Sequence, residues 1–319
     1  VYFKHGAYWL VKKGKWTRLG EGLAESLVAY AETVETRPGS MPDLIDRVYA
    51  HHSKTLSEST RAQYRIAADR LKAIFKNGNP AQVKSKHVAA IKTSLADTPN
   101  MANRITSFLR TVFTYAVEWG EVDSNPCVGV RRHVEPKRTR LLSDYEWETI
   151  HDHADPRLRV IMELQYLTGQ RIGDILAIRR NQITDEGIAF EQQKTGAKLV
   201  VRWTEALRGT VATALELSRG TPTLTLLRGR YGGAPDYRSV LLQWNKACDA
   251  AEVADARLND GRARAATATD AQGQDAQALL GHASSAMTRR YLRDRTAAEV
   301  SGPNIGQALD VGQKRKRNQ

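Results

Sequence analysis

The chain has 319 residues and a formal charge of +13, from 48 lysines and arginines against 35 aspartates and glutamates. That length favours two domains with a small third over one compact core, and the basic balance points to a polyanionic partner, nucleic acid first. Cys127 and Cys248 are too few thiols for a disulfide framework or a cysteine-rich metal site, and no apolar run approaches the ~20 residues of a membrane-spanning helix; the amino end lacks a secretory apolar stretch, so the cytoplasm is the expected compartment.

The first twenty residues carry Lys4, Lys12, Lys13, Lys15 and Arg18 and no acid, interleaved with Tyr2, Tyr8, Trp9 and Trp16. Tyr8 to Val11 and Trp16 to Leu19, around Lys13-Gly14-Lys15, predict a short hairpin. An isolated hairpin is marginal in water, so a helix over Glu21 to Val34 or another domain is expected to support it. Two readings stay open: a ribbon offering Lys12, Lys13 and Lys15 to DNA, or a solvated hairpin whose aromatics pack inward.

After the break at Arg37-Pro38-Gly39-Ser40, residues 41–130 read as a helical domain. Tyr64, Ala67, Ala68, Leu71, Ile74 and Phe75 form one apolar stripe, with Ser59 as the expected N-cap and Asn77-Gly78-Asn79-Pro80 as the stop. Ile105, Phe108, Leu109, Val112, Phe113, Ala116 and Val117 form a second, closed by Gly120. Arg61, Arg65, Arg70, Lys72, Lys84, Lys86 and Lys92 occupy other faces or loops, as a solvated surface or as half of a clamp on the phosphate backbone.

Residues 131–140 have no helical period and read as a basic interdomain linker. Arg131, Arg132, Lys137, Arg138 and Arg140 there are candidate phosphate contacts. A capping box at Ser143-Asp144-Tyr145-Glu146 opens the next domain. It continues with helices over about 143–153, 158–168 and 172–179 and strands over 187–190 and 198–203 around a Lys194-Thr195-Gly196 turn. Further helices are expected over about 205–218, 239–251, 262–269, 275–280 and 285–291. The tail Lys314 to Arg317 is a charge run.

Chemistry concentrates in this last domain. An apolar run stops at Gly281, His282 follows, and Tyr291 lies nine positions later on the next helix; a phenol near an imidazole in a basic protein suggests a nucleophile with its proton handler. Upstream lie Thr168-Gly169-Gln170-Arg171 and Arg262. Breaking a phosphodiester needs charge stabilisation on the non-bridging oxygens, an in-line nucleophile and an acid for the leaving oxygen, and two guanidiniums suit the first task.

In this order the boxes resemble those of the tyrosine recombinases, or phage-type integrases, most specifically from about Leu141 to Arg293. The resemblance implies a mainly α fold with a small β-hairpin (α+β). An integrase-type catalytic domain (141–319) would follow a helical core-binding domain (41–130) and a small amino-terminal basic module (1–40) of possible arm-binding type. By the same resemblance Arg171 and Arg262 grip the scissile phosphate, Lys194 protonates the 5′-oxygen, His282 contacts a phosphate oxygen, and Tyr291 attacks to give a 3′-phosphotyrosyl link. Asp174 is expected to orient Arg171 through a carboxylate pair. Four protomers would act on double-stranded DNA through a four-way junction, without metal, ATP or other cofactor. Accessory DNA-bending proteins would be further partners, the setting nucleoid DNA, and residues after about Ala297 would dock on a neighbouring protomer.

One box departs from the family. His-x-Leu-Arg is replaced by Asn259-Asp260-Gly261-Arg262, and an asparagine accepts no proton at neutral pH. Asn259 is therefore a candidate phosphate or phenol ligand, the general base is unassigned, and Asp260-Gly261 suggests a loosened backbone. Two alternatives remain at this stage: a type IB topoisomerase-like relaxing enzyme, and a catalytically impaired, sequence-specific DNA-binding homologue. His151-Asp152-His153 reads as surface, because side chains two apart on a helix diverge.

Overall fold

Two separately packed units make up the chain, Val1–Lys137 and Arg138–Gln319. The computed structural model describes residues 1–12, 14–33, 39–76, 78–136, 138–220 and 223–292. Lys13, Lys137, the Lys314 to Arg317 run and the docking segment after Ala297 lie outside the described residues, as does the side chain of Lys12.

The first unit begins with an antiparallel sheet, β1 (Tyr2–Lys4), β2 (Ala7–Lys12) and β3 (Lys15–Gly20), in that order. The sequence predicted only the β2 and β3 pair. β1 was hidden because its three residues are all exposed and show no alternation; it turns back through His5 and Gly6, both at positive φ. Helix α1 (Leu23–Thr33) packs on β2 and β3, and Ala7 and Leu19 are buried. Tyr2, Phe3 and Trp16 stay exposed, with the Tyr2 and Trp16 rings 5.8 Å apart and Lys4 Nζ 5.7 Å from the Trp16 ring. Tyr8 and Trp9 are half-buried, so the aromatics are divided between the two readings.

Four helices follow, α2 (Met41–His52), α3 (Glu58–Phe75), α4 (Ser85–Ser94) and α5 (Pro99–Glu118). Their apolar stripes close on one core: Leu44, Ile45 and Val48 meet Ala67 and Leu71, Val88 and Ile91, and Ile105, Phe108, Leu109, Val112 and Phe113. Ile74 and Val117, predicted in the stripes, are exposed near the helix ends. The N-cap of α3 is Ser57 rather than Ser59, which places Glu58 in the first turn, where the helix dipole favours a carboxylate.

The basic stretch after this bundle is not a free linker. Asn103 Nδ2 donates to the His133 carbonyl (2.9 Å) and to Glu135 (2.8 Å), His133 N donates back to Asn103 Oδ1 (2.8 Å), and Lys92 Nζ reaches the Arg131 carbonyl (3.2 Å). The chain up to Glu135 is thus fastened to α4 and α5, while Arg131 and Arg132 face solvent.

The second unit opens with the predicted capping box at Ser143 and Glu146 and α6 (Asp144–His153). Then come α7 (Pro156–Thr168), α8 (Ile172–Leu176), β4 (Gly187–Glu191), β5 (Lys198–Arg202), α9 (Glu205–Leu217), α10 (Tyr237–Ala250), α11 (Asp260–Ala271), α12 (Ala276–Leu280) and α13 (Ser285–Leu292). α7 is central, packing against α6, α8, α9, α10 and α11. The rings of Trp147 and Trp244 meet in the core at 6.1 Å. β4 and β5 form an antiparallel pair from Gly187 opposite Arg202 to Glu191 opposite Lys198.

α8 stops at Leu176, short of the predicted Arg179. Leu226 N donates to the Ile178 carbonyl (2.8 Å) and Arg180 N to the Leu224 carbonyl (2.9 Å), so the chain there is drawn into extended pairing. His151 faces Glu163 at 2.9 Å and His153 Nδ1 bonds the Thr149 carbonyl at 2.8 Å. Asp155 caps the central helix, accepting from Arg157 N and Leu158 N at 3.0 Å each. Asp155→Ala should lower the stability of this unit by about 1 kcal/mol, and Asp155→Asn by much less; urea unfolding followed by circular dichroism measures both.

Candidate active site

Two glycines prepare the site. α7 ends at Gly169 (φ 65°) and α12 at Gly281 (φ 61°), both in the left-handed region that caps helices with least strain for glycine. These ends expose carbonyls that no helical N–H satisfies, and both bond one guanidinium. Arg262 on α11, fully buried, donates from Nη1 to the Gly169 carbonyl (2.6 Å) and from Nη2 to the Leu280 carbonyl (2.8 Å). The negative ends of two helices thus offset the desolvation of a buried cation. Burial lowers the Arg262 pKa, Tyr291 opposes the fall and Arg171 adds to it; the group remains a cation at neutral pH. Its Nε–H is buried and has no acceptor among the described residues.

Arg171 is the N-cap residue of α8, half-buried, and its Nη1 donates to Gln192 Oε1 at 2.7 Å. The expected Asp174 pairing is corrected here. Asp174 Oδ1 accepts from Gln193 N (2.9 Å) and its Oδ2 has no hydrogen-bond partner among the described residues, so the guanidinium is oriented by an amide instead.

His282 is buried, with Nε2 at 3.1 Å from Arg262 Nη2 and Nδ1 at 3.1 Å from Thr288 Oγ1. An arginine only donates, so Nε2 accepts, the imidazole is neutral, and its proton sits on Nδ1, directed at Thr288. Burial first, then the charges of Arg262 and Arg171, lower the His282 pKa from 6.5 to about 4. Tyr291, on the helix that also carries Thr288, lies with its ring 5.2 Å from His282 and 5.1 Å from the Arg262 guanidinium carbon. Arg171, Arg262, His282 and Tyr291 therefore converge, although 120 residues separate the first from the last.

Lys194 and Asn259 are placed differently. Lys194 is exposed on the β4–β5 turn, and its ammonium has no hydrogen bond or ion pair among the described residues. Asn259 is exposed at the N-cap of α11 and makes no side-chain capping bond. Tyr231 and Tyr237 are exposed, Tyr231 almost completely.

The loosened backbone expected at Asp260-Gly261 is also corrected. A Cβ on Gly261 would lie 2.3 Å from Gln165 Oε1 and 2.7 Å from Trp147 Cη2, so neighbouring side chains fill the volume that a residue larger than glycine would need. Asp260 is buried and accepts from Arg138 Nε (3.1 Å), Arg138 Nη2 (2.8 Å) and Arg257 N (2.9 Å). Arg138 also grips Asp255 through Nη1 at 2.8 and 2.9 Å, while Arg140 Nη2 donates to Glu146 (2.8 Å) and the Ala254 carbonyl (2.8 Å). Arg138 and Arg140 were expected to meet phosphates; their donors are engaged by carboxylates and carbonyls, so they fasten the start of this unit to its own framework. Gln170, Gln192, Asp260 and Thr288 were not recognised as site residues from the sequence. Two uncharged amides beside Arg171 and Lys194 were the available signal.

The sequence profile of the phage integrase family matches residues 140–297. The chain belongs to that family. It is 27% identical to the prophage integrase IntE of Escherichia coli K12 over 90% of this chain and 91% of that one. It is 31% identical to the integrase of Escherichia phage HK022, over 67% of this chain and 64% of the relative. A solved lambda integrase tetramer bound to a Holliday junction shares the fold, with a TM-score of 0.73 at 21% identity over 94% of this chain and 97% of the other. The four converging side chains of this family member fall inside the profile match.

Folding lowers the His282 pKa, so between 6.5 and about 4 the unfolded chain takes the proton first and acid favours unfolding. From pH 7 to pH 5 this residue should remove about 2 kcal/mol of stability, and His282→Asn should flatten that part of the profile; urea midpoints at the two pH values test it. Gly261→Ala should cost about 1–3 kcal/mol by overpacking against Trp147 and Gln165, read by the same unfolding measurement.

Proposed function

We propose that this integrase-family chain is a site-specific DNA recombinase that cuts and rejoins DNA through a phosphotyrosine formed on Tyr291. The observation that carries the proposal is the seating of the Tyr291 ring on the buried Arg262 guanidinium beside neutral His282. Arg262 and Arg171 supply planar donors that stay charged, suited to the non-bridging oxygens of a phosphodiester. Tyr291 Oη attacks phosphorus, the bond to the 5′-oxygen breaks, and that oxygen takes a proton from the Lys194 ammonium. The phenolic proton leaves to water, because an asparagine at 259 cannot accept it and His282 Nε2 already faces an arginine donor. A 5′-hydroxyl from a partner strand then reverses the step. The bond energy stays in the phosphotyrosyl link, so neither metal nor ATP is required.

The lambda tetramer on a Holliday junction supports four protomers on DNA as the working assembly here. The helical half of the first unit (41–130) is assigned to core-site DNA. The exposed aromatic and basic face of its sheet, with Lys15, is assigned to a second DNA segment. Arg131 and Arg132 are the solvent-facing candidates for phosphate contact in the stretch that follows.

A duplex selected by this protein from a random-sequence pool, nicked beside the scissile phosphate, should trap a covalent adduct visible on a denaturing gel. The adduct should form in EDTA without ATP, disappear in Tyr291→Phe, and form on the order of 10²-fold or more slowly in Arg262→Lys. An adduct that persists in Tyr291→Phe, or none from the intact protein on a duplex it binds tightly, would reject the assignment.

A further inference from the structure

Gln192 occupies the junction between β4 and the exposed turn that carries Lys194, and it is fully buried. Its side-chain amide is saturated. Oε1 accepts from Arg171 Nη1 (2.7 Å) and Thr195 Oγ1 (2.8 Å), and Nε2 donates to Gln170 Oε1 (2.7 Å) and the Leu280 carbonyl (2.9 Å). Arginine cannot accept, so the atom facing Arg171 is the oxygen. The Leu280 carbonyl is the one that also takes Arg262 Nη2, and Gln170 Nε2 continues the chain to the Thr168 and Leu279 carbonyls. One amide thus touches the first arginine directly and the second through a shared carbonyl.

The backbone around the turn is anchored on both sides of Lys194. Gly196 N and Thr195 N donate to the Gln192 carbonyl (2.8 and 3.3 Å), and Gln193 N donates to Asp174 (2.9 Å). The Lys194 ammonium projects without a partner among the described residues. Its four-carbon stem is flexible, so where its ammonium can reach depends on where the turn is held. A buried amide is costly unless every donor and acceptor is met; packing alone would be served by an apolar residue of the same size.

We infer that Gln192 is a positioning residue: its amide holds the Lys194 turn against the two-arginine cradle and so governs delivery of the proton to the leaving 5′-oxygen, an inference that rests on the role proposed for Lys194. In cleavage the bond from Tyr291 oxygen to phosphorus forms, the bond to the 5′-oxygen breaks, and that oxygen receives the lysine's proton. With sulfur in the 5′-bridging position the leaving group departs as a thiolate, since thiols have pKa values of about 8.5, and needs no acid.

The experiment compares adduct formation on the selected duplex with bridging oxygen or bridging sulfur for Gln192→Met, Thr195→Val and Lys194→Ala. Gln192→Met, which also removes the acceptor of Arg171, should slow both duplexes and slow the oxygen duplex roughly tenfold more than the sulfur duplex. Thr195→Val, at an exposed position that removes one donor to Gln192, should show the same selectivity at about threefold, and it carries the test if Gln192→Met fails to fold. Equal slowing of both duplexes by the folded variants, or no effect of Thr195→Val, overturns the inference. Equal slowing of both duplexes by Lys194→Ala rejects the proton-donor role itself, which separates that failure from one confined to Gln192.

Discussion

A guanidinium with no exposed surface is the constraint around which the second unit is arranged. Isolated burial of a cation is prohibitive, and Arg262 makes no direct ion pair among the described residues, although the buried Asp174 carboxylate favours its charge from further away. Carbonyls at two helix ends do the compensating instead, which requires α7 and α12 to terminate beside the same atom group. Gly169 and Gly281 make those terminations possible by accepting left-handed backbone. With direct contacts made to carbonyl dipoles rather than to a carboxylate, and with Arg171 close enough to lower its pKa further, the guanidinium keeps its positive charge.

The same helix start holds the opposite charge in an opposite setting. Asp260 lies in the first turn of α11, where the dipole favours an acid, and faces Arg138 rather than Arg262. The pairing raises the Arg138 pKa chiefly through the hydrogen bond to Asp260. Separating Arg138 from Arg262 in this way directs the Asp260 carboxylate away from Arg262. It also ties the first residue of the unit, Arg138, to the helix that carries Arg262.

Much of this was legible in the sequence because the signals were local. The capping box at Ser143, the apolar stripes of α3 and α5 and the nine-residue step from His282 to Tyr291 depend on short spacings, whereas Arg171 and Arg262 were joined to them by the resemblance to the family. What stayed hidden is non-local. Arg138 reaches Asp260 across 122 residues, and Gln192 reaches Leu280 across 88; no spacing rule joins such pairs. A single strand of three exposed residues carries no alternation, so β1 was missed for a different reason. Asp174 was misassigned because a shared helical face specifies proximity to Arg171 but not which of two nearby donors wins, and the backbone N–H of Gln193 is the fixed one.

The asparagine at 259 can be weighed on the same grounds. Nothing that positions Arg262 passes through its side chain, which is exposed and makes no capping bond. The arginine is held from the far side by Gly169 and Leu280, and the start of its helix is held by Asp260 and by the packing around Gly261. A change from histidine to asparagine therefore leaves the Arg262 guanidinium where it is and removes only an ionisable nitrogen from the helix start. His282 does not replace that nitrogen, since its Nε2 lone pair is directed at Arg262 and its proton at Thr288. In the proposed reaction charge stabilisation stays with the two arginines and the phenolic proton goes to water, so the departure at 259 bears on proton removal alone.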